Sequence, residues 1–327
     1  MTEKGVVKKF IDSPSTFLRG LASAGTGFTF NVDNHYQDLV CLLHLLLVKH
    51  EEKKGYVVFD GPESADSFDK ALSVCQKIKL GFKQFDAQTI LPVIPKTRKM
   101  RKELADCLVK YHQHQAPYQN SSFVVCSIDK TLLEEDSVKV WDDKKMGVVE
   151  GYPSCCVDAF IEWRWDNFEI AASLLDQPGE KKTVFSAYRI IVDNESGKEV
   201  GKMEHSALAN ELGMPSEIVD DAEFIFQKVH GSGQAPNWNP DPRVSQNDGR
   251  RAWGYVQTMK KYPFVIHMAC KNCLSSKNSP SAEMNGRFSD FCKNYNPVWY
   301  EGIVAGAESI DASKAKLSLE DYHKMKL

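Results

Sequence analysis

The chain has 327 residues, of which 42% are hydrophobic and 26% are charged. A single hydrophobic core seldom grows beyond about 250–300 residues, so this length predicts two packed units, and the composition is that of an ordinary globular protein. The 41 basic and 44 acidic residues leave a formal net charge of −3, which excludes a global positive field that would attract nucleic acid or an anionic membrane.

The sequence also lacks the marks of export and of membrane insertion. Its N-terminus has no apolar run of the secretory type, and the apolar stretch from Leu39 to Val48 contains His44 and is much shorter than the ~20 residues of a membrane span. Nine cysteines in such a chain favour reduced thiols over a disulfide scaffold. We therefore expect a cytoplasmic protein without membrane contact, and the sequence leaves its oligomeric state open.

Residues 1–116 predict a mainly helical N-terminal part. The segment from Asn34 to His50 has too many apolar residues for one exposed face, which predicts a central buried helix. A short strand is predicted from Gly55, ending in the turn at Gly61-Pro62, and an amphipathic helix is predicted to begin at Ser64.

The densest basic run of the protein lies in a helix predicted from Lys96 to Lys110. Phosphate contacts to nucleic acid are one interpretation of this run. A solvated helix face is the preferred one, because the run lacks aromatic residues that would stack on bases. His112 and His114, just beyond the run, are interpreted as surface residues, and a boundary is predicted near residue 117.

Residues 117–327 predict a mixed sheet-and-helix part. Phe123 to Ile128 predicts a buried strand, and two β-rich segments around the turn at residues 193–198 predict a β-hairpin. The irregular stretch from Pro236 to Arg250 predicts a mobile loop over a site. The predicted fold class is therefore α+β, since helices and strands alternate too irregularly for a doubly wound parallel sheet.

The most distinctive motif is Gly151-Tyr152-Pro153-Ser154-Cys155-Cys156. Helical spacing of the apolar residues after it places both cysteines in the first turn of a helix. Free backbone N–H groups and the helix dipole stabilise a thiolate there. Because adjacent side chains diverge, we expect one of the two sulfurs to point into a site and the other to pack, hydrogen-bond or react.

The second motif is His267-x-x-Cys270-x-x-Cys273, which follows a strand predicted at Phe264-Val265-Ile266. Its spacing lets two sulfurs and an imidazole approach one metal ion from a tight turn, and the missing ligand is expected from the double-cysteine motif. Zinc would accept three cysteines and His267, whereas an iron–sulfur cluster would take cysteines from both motifs with Cys292 as a further candidate. A metal-free thiol site and inert buried cysteines are the alternatives.

Candidate residues for binding an anion lie near the second motif. Ser279 and Ser281 surround the predicted start of a helix at Pro280, where backbone N–H groups can hold phosphate or carboxylate. Simple capping is the preferred interpretation. Arg251 would supply a guanidinium to the same anion, with a solvated Arg250-Arg251 pair as the alternative. The sequence contains no Gly-rich phosphate loop, Ser-His-Asp ordering or Rossmann fingerprint.

Together the two motifs, followed by a serine-rich helix start, resemble those of a largely archaeal family of unknown function. The resemblance extends from about Gly147 to Phe291 and does not include the N-terminal part. It implies a shared cysteine-centred site and an archaeal or bacterial cytoplasmic setting. It implies no activity.

Three functional hypotheses follow. In the first, a metal- or iron–sulfur-dependent enzyme acts on a small anionic or nucleotide-like substrate, His267 ligates the metal or acts as a base, and Arg251 neutralises substrate charge. In the second, Cys155 or Cys156 is the nucleophile of a metal-free thiol enzyme with His267 as its base. In the third, a structural zinc ion stabilises a binding module whose basic helix contacts RNA.

Overall fold

The computed structural model describes residues 2–5, 34–59, 65–85, 92–95, 100–115, 123–134, 141–175, 188–192, 199–230 and 242–310. Helices predominate in these ranges, together with one three-stranded and one two-stranded antiparallel sheet. This architecture confirms the predicted α+β class. Among the described residues, no helix combines the length and apolar character that a membrane span requires.

The described helices are α1 (Asn34–Lys49), α2 (Ala65–Ile78), α3 (Lys102–Gln115), α4 (Lys130–Glu134), α5 (Asp143–Val149), α6 (Ser154–Ala172), α7 (His205–Leu212), α8 (Ser216–His230), α9 (Pro242–Lys261), α10 (Lys271–Ser275), α11 (Pro280–Tyr295) and α12 (Pro297–Glu308). The described strands are β1 (Gly55–Phe59), β2 (Phe82–Phe85), β3 (Phe123–Ser127), β4 (Tyr188–Val192) and β5 (Glu199–Glu204).

The three-stranded sheet has the order β1-β3-β2, with β3 at its centre. Tyr56 of β1 and Phe82 of β2 both lie opposite Cys126 of β3, and every residue of β3 is buried. Because β1 and β2 precede residue 117 and β3 follows it, the sheet joins both sides of the predicted boundary. The parts at 1–116 and 117–327 therefore share one sheet.

Helix α1 lies in the larger hydrophobic core and confirms the predicted buried helix. Leu42, Leu43 and Leu46 are fully inaccessible, as expected for a helix that is apolar all round. The indole Nε1 of Trp299 in α12 donates to the carbonyl oxygen of Leu39 at 3.2 Å. Packing of this kind joins the N-terminal helix to the last described helices of the chain.

Helix α6 spans two cores. Cys156 in its first turn belongs to the larger core, whereas Trp165 and Phe168 belong to a second core that also contains residues of α3 and α8. The indole of Trp165 also donates to the carbonyl oxygen of Val93. The position of the double-cysteine motif is thus fixed by a helix whose buried residues extend from Cys156 to Ala171.

The basic helix differs from the prediction. It begins at Lys102 rather than Lys96 and continues to Gln115, while residues 96–99 lie outside the described ranges. The surface interpretation of His112 is wrong: the side chain is buried, and Nε2 lies 2.8 Å from Arg164 Nη2. The continued helix turns His112 toward Phe226 of α8, where the two rings pack edge to face.

Two other local predictions are corrected and one is confirmed. Of the predicted loop at 236–250, residues 242–250 form the first turns of α9, where the proline at the helix start needs no backbone donor, and residues 236–241 lie outside the described ranges. Residues 264–266 form no strand, because the N–H of Phe264 donates to Asn285 Oδ1 and its carbonyl accepts from His44. The predicted hairpin is present as β4 and β5.

Candidate metal centre

A tight turn between α5 and α6 presents the double-cysteine motif. Gly151 adopts φ +68°, a left-handed conformation that suits glycine, and the N–H of Tyr152 donates to the carbonyl oxygen of Gly147 at 2.8 Å. Helix α6 then starts at Ser154, directly after Pro153. Cys155 and Cys156 therefore lie in the first helical turn, as predicted.

Close packing between α5 and α6 also places this turn. A Cβ atom added to Gly147 would lie 2.4 Å from Val157 Cγ2, so only glycine allows this approach. We expect Gly147→Ala to lower the free energy of unfolding by about 1–3 kcal/mol in urea denaturation. Adding Val157→Ala should remove most of that cost.

A matched control lies in α11. A Cβ atom at Gly286 meets nothing within 4 Å, so Gly286→Ala should raise stability by up to about 1 kcal/mol through helix propensity. Equal effects of the two glycine substitutions would show that the contact with Val157 is unimportant.

The second motif is held by buried polar groups of neighbouring elements. Thr258 Oγ1 of α9 accepts the N–H of Ala269 at 2.9 Å, and the hydroxyl of Tyr262 donates to the carbonyl oxygen of Cys273 at 2.6 Å. Cys270 is the N-cap residue of the short helix α10, which contains Cys273. This part of the chain is irregular but its backbone is anchored on both sides of the cysteines.

The two motifs meet and form what we call the four-cysteine group: Cys155, Cys156, Cys270 and Cys273. Their four sulfur atoms all lie within 4.8 Å of one another. The sulfur of Cys273 is 3.6 Å from that of Cys155 and 3.7 Å from that of Cys156. Four thiolate ligands at such separations could hold a metal ion.

Two details of this geometry differ from the predicted ligand set. Both Cys155 and Cys156 direct their sulfurs to the group, where only one was expected. Side chains of an α-helix tilt toward its N-terminus, so adjacent residues of the first turn can both reach an ion beyond the helix end. Neither His267 nor Cys292 belongs to the group. Cys292 is buried in α11, and burial raises the pKa of its thiol to about 12.

His267 contacts the group through Ser281. Its Nε2 lies 2.9 Å from Ser281 Oγ, which in turn lies 3.4 Å from the sulfur of Cys156. The Ser281 hydroxyl thus links the imidazole to the sulfur of Cys156. His267 Nδ1 is buried and has no hydrogen-bond partner among the described residues. Burial and the nearby Lys53 lower the pKa of His267 to about 3, which keeps the ring neutral.

The cysteine pKa values differ within the group. Burial raises the pKa of Cys155 to about 11, with contributions from Cys273 and Cys270. Burial also acts on Cys273, but hydrogen bonds from Ser281 and from the neighbouring thiols outweigh it and lower its pKa to about 7. One thiolate therefore forms readily while further negative charge is opposed. A bound cation would offset that repulsion and favour four thiolates.

A buried ion pair beside the group was not predicted from the sequence. Lys53 forms an ion pair with Glu150, and both side chains are almost inaccessible. Lys53 Nζ also lies 3.0 Å from His44 Nδ1, while His44 Nε2 donates to the carbonyl oxygen of Phe264 at 3.2 Å. Burial raises the pKa of Glu150 and lowers that of Lys53, and each partner opposes the other's shift.

This polar network connects the segments that carry the two motifs. Glu150 immediately precedes Gly151, and its Oε1 accepts the N–H of Val57 in β1 at 2.6 Å. Phe264 lies three residues before His267, and the rings of His267 and Tyr152 are 5.1 Å apart. The network therefore helps to hold both motifs against α1 and β1.

The predicted anion-binding residues have other described contacts. Ser279 is buried and caps α11 by accepting the N–H of Ala282 at 3.2 Å, which agrees with the capping interpretation. Ser281 is fully buried beside the four-cysteine group. The guanidinium of Arg251 lies 4.0 Å from the ring centre of Trp163 in α6. Anion binding by these three residues stays a prediction.

No protein-family model matches this chain, and no curated protein or solved structure is significantly similar to it. The resemblance to a largely archaeal family therefore remains a hypothesis based on the two motifs. What is shown is an α+β protein in which four cysteines from two distant segments come together as a potential metal centre.

Proposed function

We propose that the four-cysteine group binds a single metal ion in tetrahedral geometry. The observation that carries this proposal is the separation of the sulfurs, all within 4.8 Å of one another. Four sulfurs at ~2.3 Å from one tetrahedral ion lie about 3.8 Å apart, close to the two separations from Cys273. Only small shifts would complete the coordination.

Zinc is the metal we favour. Four thiolates form a common ligand set for structural zinc, and a reducing compartment such as the cytoplasm would keep them available. An iron–sulfur cluster is the alternative on ligand type. It is less well supported, because its four thiolates are distributed over at least two iron atoms and cannot all lie as close together as the ligands of one ion.

We still propose that the protein is a metal-dependent enzyme that acts on a small anionic substrate. Arg251 is the candidate residue for neutralising the charge of that substrate. A complete set of four cysteines is more typical of structural zinc, whereas catalytic zinc keeps one position open. An enzymatic role therefore requires that one of the four ligands can leave. A purely structural ion in a binding module is the competing proposal.

The metal-free thiol enzyme is supported less well by the contacts of His267. A base that activates a thiol lies within hydrogen-bonding distance of it. His267 Nε2 is bonded to Ser281 instead, and the sulfur of Cys156 is reached only through that hydroxyl.

Metal content tests the proposal directly. Protein purified without oxygen should contain one zinc ion per chain and no acid-labile sulfide, and Cys270→Ser should reduce the zinc content to well below one. Sulfide together with iron and a visible absorption band would establish a cluster instead. A wild-type chain that is folded without any metal would overturn the proposal.

A further inference from the structure

Cys155 differs from the other members of the four-cysteine group in its exposure. It is half-buried, whereas Cys156, Cys270 and Cys273 are 2%, 8% and 1% exposed. A small molecule from solvent would therefore meet the group first at Cys155.

Cys155 also differs from Cys156 and Cys273 in its hydrogen bonds. The sulfur of Cys156 accepts the N–H of Cys270 at 3.3 Å and lies 3.4 Å from the Ser281 hydroxyl, and Cys273 is bonded to both the hydroxyl and the N–H of Ser281. Within the described residues, the hydrogen-bond partners of Cys155 are thiols of the same group. Donors that surround a metal-bound thiolate disperse its charge and fix its position. Among the described residues, no such donor contacts the sulfur of Cys155 or that of Cys270, and of these two cysteines only Cys155 is accessible enough for an incoming ligand.

We propose that Cys155 is the exchangeable ligand of the metal ion and that a thiol of low molecular mass takes its place. This inference rests on the proposed function. In the exchange, the bond from the metal to the Cys155 sulfur breaks and a bond to the incoming sulfur forms. The proton of the incoming thiol passes to Cys155, and no atom changes its oxidation state.

A thiol suits this position better than an oxygen anion. Zinc in a thiolate environment accepts soft sulfur ligands readily, and carboxylate or phosphate oxygens suit harder cations. Exchange of one thiolate for another leaves the charge of the centre unchanged, so no additional cation is required. A metal-bound thiol is deprotonated at neutral pH. The centre would thus present the incoming thiol as an activated thiolate.

Cobalt(II) replacing zinc gives a spectroscopic test in the full-length chain. Cys155→Ala should retain one cobalt ion per chain, and adding 2-mercaptoethanol should restore the thiolate-to-cobalt absorption of the wild type. Cys156→Ala is the matched control, because the neighbouring position is buried. We expect it to lose cobalt or to show no recovery with the same thiol.

Alkylation of the zinc-loaded wild type is an independent test that needs no variant. Iodoacetamide should modify Cys155 at least about tenfold faster than the other three ligands, as mapped by mass spectrometry, while zinc stays bound. Equal modification of the four cysteines would overturn the proposed ligand exchange. A cobalt spectrum of the Cys155→Ala variant that does not change when the thiol is added would overturn it as well. A wild type that binds neither zinc nor cobalt would instead overturn the proposed metal centre itself.

Discussion

Cys273→Ala is expected to release the metal ion and to lower the free energy of unfolding by about 4 kcal/mol or more, since loss of a bound metal is among the largest single-residue effects. Cys273 is the proposed ligand whose sulfur approaches those of both Cys155 and Cys156, at 3.6 and 3.7 Å. Its loss removes the connection between α6 and α10. Urea denaturation with and without a chelator, together with zinc analysis, measures both effects.

Cys292→Ala is the matched control for that experiment. Cys292 is equally buried but lies outside the four-cysteine group. Its replacement leaves a small cavity and should cost about 1–2 kcal/mol without loss of zinc. A chelator should destabilise the wild type and the Cys292 variant alike, and should leave the Cys273 variant unchanged. Similar losses of stability in both variants, with zinc retained, would contradict a metal centre at Cys273.

Breaking the Lys53–Glu150 ion pair is expected to be the second large effect. Both side chains are almost inaccessible, so either Lys53→Met or Glu150→Gln leaves one charge buried without its partner. Each substitution should lower the free energy of unfolding by about 3–5 kcal/mol. The double variant should lose clearly less than the sum of the two single losses, because neither charge is then left alone.

An ion pair with one exposed partner serves as the comparison. Arg101 Nη2 lies 3.1 Å from Asp221 Oδ2, and the Arg101 side chain is 65% exposed. Solvent screens such a pair, so Arg101→Met should cost less than about 1 kcal/mol. If Lys53→Met were as mild as Arg101→Met, the buried pair would contribute little to the stability of the site.

Local patterns predicted the pieces of the candidate site well. Helical spacing after Cys156 and the turn at Gly151 predicted a helix start with two first-turn cysteines, and Ser279-Pro280 predicted the start of α11. These features depend on residues within a few positions of one another. They are a helix-capping residue, a glycine in the left-handed conformation and a helical spacing of apolar residues. The short spacing of Cys270 and Cys273 likewise predicted that their sulfurs would converge.

Two of the wrong local predictions share one cause. Residues 264–266 have the apolar character of a strand, but hydrogen bonds to Asn285 and His44 satisfy the backbone of Phe264 in place of a neighbouring strand. His112 follows a polar pattern yet is buried because α3 continues past it and packs on α8. In each case a distant part of the chain supplied contacts that outweighed the local preference.

The proposed ligand set also depended partly on local sequence and partly on tertiary packing. Motif spacing indicated which segments carry the candidate metal ligands, because spacing within a turn limits where side chains can point. Only the packing of α6 against α10 and α11 placed both Cys155 and Cys156 in the four-cysteine group and left His267 bonded to Ser281. Lys53 lies in a charged run of the sequence, a pattern that is typical of a solvent-exposed segment. Its side chain is buried because it forms an ion pair with Glu150, 97 positions away. Contacts at such separations depend on how the elements pack, which no local pattern specifies.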